Sequence, residues 1–165
     1  METIEAIKKR RSVRKYIDRP ISKEIIEDIV NCGRLAPSGN NSQPWHFLVV
    51  TKKSDLEFVS KSATYGKFIK EAGACVITFC EKSNRHNLED GAAATENIIL
   101  AATDYGLGTC WVAGYDRSYE EEIKKYFKVP NDLRMISIVP IGYTNDEPKM
   151  PQKRGLDEVL HWESF

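Results

Sequence analysis

Gly106-Leu107-Gly108-Thr109-Cys110-Trp111 decides the fold class. Its paired glycines have the spacing that opens a dinucleotide-binding fingerprint, where a strand runs through G-x-G-x-x-G into a helix. Trp111 stands where the third glycine belongs, and the segment follows a helical stretch instead of preceding one. A doubly wound parallel sheet is therefore poorly supported. An α+β domain, with helices packed on a sheet of about four strands, fits better.

The stretch before these glycines, Asn87 to Tyr105, reads as the longest helix. Asn87 is placed to cap it, Glu89 and Asp90 lie in the first turn, and Gly106 offers a C′ glycine. Ala92, Ala93, Ala94, Ile98, Ile99, Leu100, Ala101 and Ala102 leave little polar face. Such a helix is central in its domain or covered by a partner chain, and in a chain of this size a dimer is expected. After the glycines, Thr109 to Ala113 reads as a strand closed by Gly114. Ser118 with Glu121 forms a capping box for a helix to Phe127, with Glu120–Lys124 and Glu121–Lys125 pairs. Arg134 to Ile141 is a further strand, in which Pro140 argues for an edge position or an early stop.

Towards the N-terminus, Trp45–Thr51 and Ala74–Cys80 read as strands, the second apolar enough for burial on both faces. Ile4 and Ile7 mark a short helix over Thr3–Lys9. Ser22 caps a helix carrying Ile25, Ile26, Ile29 and Val30 to about Leu35, and Ser54 is expected to cap another through Ser60. Lys67 to Glu71 reads as a short turn. The polar tail Thr144–Phe165 holds a helical piece at Leu156–Leu160. With no internal repeat or linker, residues 1–165 are expected to form a single domain.

The 165 residues carry 24 Lys+Arg against 24 Asp+Glu, so net charge gives no reason to expect nucleic acid or an anionic membrane as partner. Met1–Arg14 is charged throughout and lacks the apolar core of a signal peptide, which points to a soluble, cytoplasmic protein. Cys32, Cys75, Cys80 and Cys110 show neither CxxC nor zinc spacing and read as inert thiols in a reducing compartment.

Four segments could carry chemistry. Arg10-Arg11-Ser12-Val13-Arg14 packs three guanidiniums and a hydroxyl into five residues, and arginine forks suit phosphate oxygens and planar acceptors. Alone, such a run is a solvated basic turn. Pro37-Ser38-Gly39-Asn40-Asn41-Ser42-Gln43 is rich in amides that suit a flat polar ligand, or else is a capped turn before a strand. Trp111-Val112-Ala113-Gly114 ends a strand at a glycine, where backbone approaches a ligand closely. Lys153-Arg154 is a second cationic point, or a solvated pair.

Taken together and in this order, these segments resemble the nitroreductase family of FMN-dependent oxidoreductases, in a compact, short form. The resemblance extends over essentially the whole chain. It implies a central, mostly antiparallel four- to five-stranded sheet flanked by helices, with the long apolar helix at a homodimer interface and two FMN sites there. Arg10, Ser12, Lys153 and Arg154 would hold the FMN phosphate and polar ribityl chain, with Arg11 assisting, and Arg14 would lie near the flavin N1/O2 edge and tune its potential. Pro37, Ser38, Gly39 and Asn41 would reach the flavin from the other subunit. Trp111, Val112 and Gly114 would line the ring near N5, the Gly114 N–H bonding N5 or O4.

Ala113 departs from better-known relatives, which carry an acidic residue there. The implied chemistry passes hydride from NADH or NADPH through N5 to a small acceptor such as a quinone or nitroaromatic, in ping-pong fashion and with no catalytic side chain. Two alternatives are a flavin store, sensor or enzyme of different flavin chemistry, and a thiol enzyme using Cys110 with His46 or His161.

Overall fold

The computed structural model describes residues 2–165, so Met1 of the expected 1–165 unit lies outside the described residues. Helix α1 (Thr3–Lys9) and helix α2 (Lys23–Arg34) precede strand β1 (Trp45–Val50). Helix α3 (Lys53–Ser62), strand β2 (Ala74–Glu81) and the long helix α4 (Asn87–Asp104) follow. Two short strands, β3 (Gly108–Thr109) and β4 (Val112–Ala113), then helix α5 (Glu120–Phe127) and strand β5 (Leu133–Gly142) complete the body. The strands form one sheet in the order β1-β2-β5-β3, with β4 also on β5, and every ladder is antiparallel. The α+β expectation holds.

Strand β2 is buried on both faces, as its nearly continuous apolar run predicts. Its alternate side chains divide two cores. Cys75, Ile77 and Phe79 pack with Leu56 and Val59 of α3 and Ile123 of α5, while Ala74 and Val76 pack with Ile26 and Ile29 of α2 and Ile98 of α4. Strand β5 alternates likewise until a bulge, where Thr78 faces Ser137 but Phe79 faces Met135, leaving Ile136 as the extra residue. Ile136 turns instead into a third cluster with Trp45, Cys80 and Ala94.

Helix α4 lies against the sheet on one side and packs on α2 and α1 on the other. Gly33 of α2 permits the close approach, because a Cβ there would stand 2.7 Å from the Ile98 Cγ1. Within this apolar contact, Thr95 Oγ1 donates to the Gly91 carbonyl at 2.7 Å and lies 2.7 Å from Ser137 Oγ, pinning helix to sheet through a satisfied buried hydroxyl pair. The helix is thus covered largely by its own chain. Ala92, Ala93, Leu100 and Ala101 of the helix stay partly exposed.

Several local expectations need correction. The strand read at Thr109–Ala113 divides into β3 and β4, with Cys110 and Trp111 unpaired between them. Pro140 is neither at an edge nor a stop. It sits in the longest strand, paired with Cys75 of β2, and its other side faces the gap between β3 and β4, where no ladder partner requires its missing N–H. Helix α3 starts with Lys52 at its N-cap position, while the Ser54 hydroxyl donates to Asp55. Asn87 does not cap α4. Its amide donates to the Asn84 carbonyl, and Asn84 Oδ1 takes the His86 N–H.

The Ser118–Glu121 capping box is absent, Tyr119 holding the N-cap position. The Glu120 carboxylate instead accepts the Met135 N–H at 2.9 Å. Lys124 is 2% exposed and reaches Glu121 and the Asn131 carbonyl, both at 3.4 Å, in place of the i,i+4 pairs. In the tail only Leu156–Glu158 forms a 3₁₀ turn.

Candidate functional site

The basic pentad lies beside the glycine segment because the two backbones meet. The Val13 N–H donates to the Thr109 carbonyl at 2.7 Å, and Ser12 bridges Thr109 in parallel sense. Gly108 is required here, since a Cβ would stand 2.7 Å from a Val13 methyl. Gly106 closes α4 with φ +71°, the left-handed conformation that favours glycine.

Between these segments opens a cavity of about 430 Å³, whose wall includes Arg10, Arg11, Thr103, Gly106, Gly108 and Thr144. Asp146 and Glu147, from the start of the tail, also line it. Lys153 and Arg154 do not line this cavity. They lie on the exposed tail, so the chain by itself leaves the expected second half of the anion site apart from the first.

The three guanidiniums differ in availability. Arg11 Nη1 donates to the Lys8 and Arg10 carbonyls, both at 2.7 Å, and so serves the carboxyl end of α1. Arg10 is half-buried and only loosely paired, its Nε 4.0 Å from Glu96 Oε1. Arg14 is exposed, with a marginal 3.4 Å bond to the Ser12 carbonyl and its guanidinium 5.9 Å from the Phe68 ring centroid.

Burial raises the Cys110 thiol above its usual range, although Arg14, a hydrogen bond from Ser12 and Arg10 all pull it down. Ser12 reaches the break between β3 and β4 through its bridge to Thr109, whereas neither Ser12 nor Arg14 lines the cavity. Burial also raises Cys75, and pushes Cys80 up to about 12. A thiol enzyme built on Cys110 is disfavoured, since thiolate is scarce at neutral pH. His46 lies on edge strand β1. Among the described residues no cluster of His, Cys, Asp or Glu is placed to hold a metal ion.

Trp111 is partly exposed beside Val112, which is buried. The expected role of the Gly114 N–H is corrected. It donates to the Ile136 carbonyl at 3.2 Å, and the Tyr115 N–H shares the same acceptor at 3.0 Å. The bulge at Ile136 turns that carbonyl towards β4, so the Gly114 amide is committed within the sheet. Ala113 pairs with Ser137, and its carbonyl accepts the Tyr119 hydroxyl.

The loop at Pro37–Gln43 sits elsewhere, over the first turns of α4. Asp90 Oδ1 accepts the Gly39 N–H at 3.0 Å, Ser42 Oγ lies 3.5 Å from Asp90 Oδ2, and Asn84 Nδ2 donates to Ser42 Oγ at 2.8 Å. The rise from Asp90 to Thr103 is about 20 Å at ~1.5 Å per residue, so one chain does not close the loop over the cavity. Asp90 and Asn84 have roles that sequence reading missed. The available signal was an aspartate followed by Gly91 and three alanines, an acid in an otherwise small, apolar stretch.

The antiparallel sheet flanked by helices defines the α+β class of protein. The chain belongs to the nitroreductase family: its family model, described as Nitroreductase family, matches residues 7–77 and 58–143. It is 35% identical over 153 residues to a protein of Methanothermobacter thermautotrophicus provisionally named NADH dehydrogenase/NAD(P)H nitroreductase, covering 90% of this chain and 80% of that one. It is 30% identical over 185 residues to the iodotyrosine deiodinase of Thermotoga neapolitana, covering 96% of each. Among solved structures, an FMN-dependent nitroreductase from Clostridium difficile superposes with a TM-score of 0.89 at 34% identity, covering 98% of this chain and 99% of that one.

Proposed function

We propose that the chain is an FMN-dependent oxidoreductase that takes reducing equivalents from NADH or NADPH and passes them to a small organic acceptor, such as a quinone or nitroaromatic. The observation that carries this reading is the incomplete satisfaction of Arg10 and Arg14, on a segment whose backbone meets Thr109 at Ser12 and Val13. A phosphate near charge −2 is well matched to such donors, and Arg10 exchanges a weak 4.0 Å partner for a strong one. The residues fit the group. When bound, FMN supplies hydride acceptance and donation at N5.

Arg10 and Ser12 hold the phosphate end, and Arg14 fixes a positive charge where negative charge develops on the ring. Trp111 and Val112 line the ring side, with the Gly114 backbone close by. Lys153 and Arg154 complete the phosphate site on assembly. Pro37, Ser38, Gly39 and Asn41 approach the ring from a second subunit. No side chain is needed as a general base, and donor and acceptor use one pocket in turn, which gives ping-pong kinetics.

The working form in this reading is a cytoplasmic homodimer of one-domain subunits. Ile4 and Ile7 are 63% and 51% exposed, and the tail presents Leu156, Trp162 and Phe165 to solvent, a large apolar area for a lone chain. Among the described residues no helix is long and apolar enough to cross a membrane. Purified protein should be yellow and should bleach under NADH or NADPH. Colourless protein that cannot be reconstituted with FMN would sink the reading.

A second reading, flavin chemistry of another kind or flavin storage, draws on Ala113 and on the likeness to the deiodinase. Steady-state kinetics with both nucleotides against quinones, nitroaromatics, flavins and halogenated phenols separates the two. Bound FMN without NAD(P)H turnover on any quinone or nitroaromatic favours the second.

A further inference from the structure

We propose that Asp90 is the positioning residue that holds the Pro37–Gln43 loop in place to meet the flavin of a second subunit. This rests on the flavin reading above and adds to it a residue outside the expected site. Asp90 is 6% exposed in the first turn of α4, where the helix dipole favours an anion. Its two carboxylate oxygens face two points of the loop, the Gly39 N–H at 3.0 Å and Ser42 Oγ at 3.5 Å.

The loop's own hydrogen bonds set its shape but not its location. The Asn41 N–H donates to the Ser38 carbonyl, the Ser42 N–H to the Gly39 carbonyl, and the Gln43 N–H to Ser38 Oγ, each at 3.0 Å. That shape holds Asn40, Asn41 and Gln43 at φ of 53°, 54° and 49°, the left-handed region that asparagine tolerates and glutamine resists. None of these internal bonds ties the loop to another element. Asp90 supplies that fastening, Asn84 supports Ser42, and the His86 ring packs so closely under Gly39 that a Cβ there would meet Cδ2 at 2.7 Å.

The polar groups turned inward are thereby consumed, while Asn40 and Asn41 are left exposed. Two amides on a fastened loop are preorganised for a flat polar ligand presented by another molecule.

The test uses the full chain and compares wild type with Asp90→Asn, Ser42→Ala and Arg10→Ala. Amide hydrogen exchange across residues 36–44 reads the fastening. FMN titration and the visible circular dichroism of bound flavin read its consequence. Asp90→Asn is expected to speed exchange in the loop and weaken FMN binding by about tenfold, the size of a lost hydrogen bond to a charged group. It should also alter the flavin's circular dichroism, with a smaller effect from Ser42→Ala. Arg10→Ala should weaken FMN while leaving loop exchange unchanged.

If wild type binds FMN and Asp90→Asn binds it equally well with the same circular dichroism, the positioning role is overturned and the flavin reading stands. Unchanged loop exchange in Asp90→Asn overturns the fastening itself. If wild type takes up no FMN, the flavin reading falls, and the positioning role with it. Should Asp90→Asn not fold, Ser42→Ala carries the same three readouts, and wild-type values in all of them overturn the positioning role.

Discussion

Helix α4 meets polar chemistry at both ends, and the two ends are built differently. At the N-terminal end Asp90 is buried and takes its bonds from the Gly39–Ser42 loop, so its polar groups are satisfied inside the chain. Further along, Glu96 and Arg10 stand 4.0 Å apart and half-exposed, and Arg10 lines the cavity beside Gly106 with no closer ion pair. A satisfied polar cluster rigidifies, whereas an unsatisfied cationic one waits for an external anion. Substitutions at the first end should therefore cost stability, and at the second, ligand.

The largest expected effect is on the ligand. Arg10→Ala should weaken FMN retention by roughly 1.5–3 kcal/mol, at least tenfold in Kd, with little change in Tm because an exposed 4.0 Å pair contributes little. Fluorescence titration checks it, and unchanged affinity would place the phosphate elsewhere. At the opposite end, Asp90→Ala should cost about 1.5–3 kcal/mol of unfolding free energy, read from the urea midpoint. Equal stability losses for Arg10→Ala and Asp90→Ala would erase the contrast.

Gly106→Ala should cost about 1–2 kcal/mol, because a Cβ at φ +71° is strained although nothing lies within 4 Å of it. A neutral result in thermal denaturation would mean that the turn relaxes. Arg14→Ala should leave phosphate binding largely intact and make the flavin harder to reduce, by about 30 mV for each ~1.4 kcal/mol of lost charge stabilisation in a two-electron couple. Potentiometry with reference dyes measures this shift.

The smallest effect concerns Glu96, whose pKa is raised by burial although Arg10 acts to lower it. A raised carboxyl pKa means that the folded state holds its proton more tightly. Its contribution is therefore favourable at low pH and is lost as pH rises through the carboxylate range. Glu96→Gln should flatten that decline between pH 4 and pH 7 by less than about 1 kcal/mol, given its exposure. An identical pH profile of Tm in both proteins would show that the burial of Glu96 has no energetic weight.

Much of the scaffold was legible in the residues. The nearly continuous apolar run of Ala74–Cys80 declared a strand buried on both faces, and the Ser22 cap with its isoleucine stripe declared α2. Capping was less legible, because Ser54, Asn87 and Ser118 lie one or two residues from the true N-cap positions, Lys52, His86 and Tyr119, none of which caps with its side chain. Lys124 read as a surface partner because i,i+4 spacing carries no information about what α5 packs upon. Pro140 read as an edge residue because the break between β3 and β4, which frees its ring, is set by a different segment.

For the site, composition and local pattern determined which residue types were available: the arginine pentad, the amide loop, the glycine turn and the late Lys153-Arg154. They also determined that the fold is not a dinucleotide-binding one, since that fingerprint is a local strand-to-helix turn and its absence is visible locally. Tertiary structure alone decided how those groups are spent. Hydrogen bonds between residues far apart in the chain commit the Gly114 amide to Ile136 and the Gly39 amide to Asp90, while Arg11 folds back on the end of α1. Arg10 and Arg14 keep only weak partners because no closer group reaches them, and proximity of that kind is a property of the packed chain, invisible in the order of its residues.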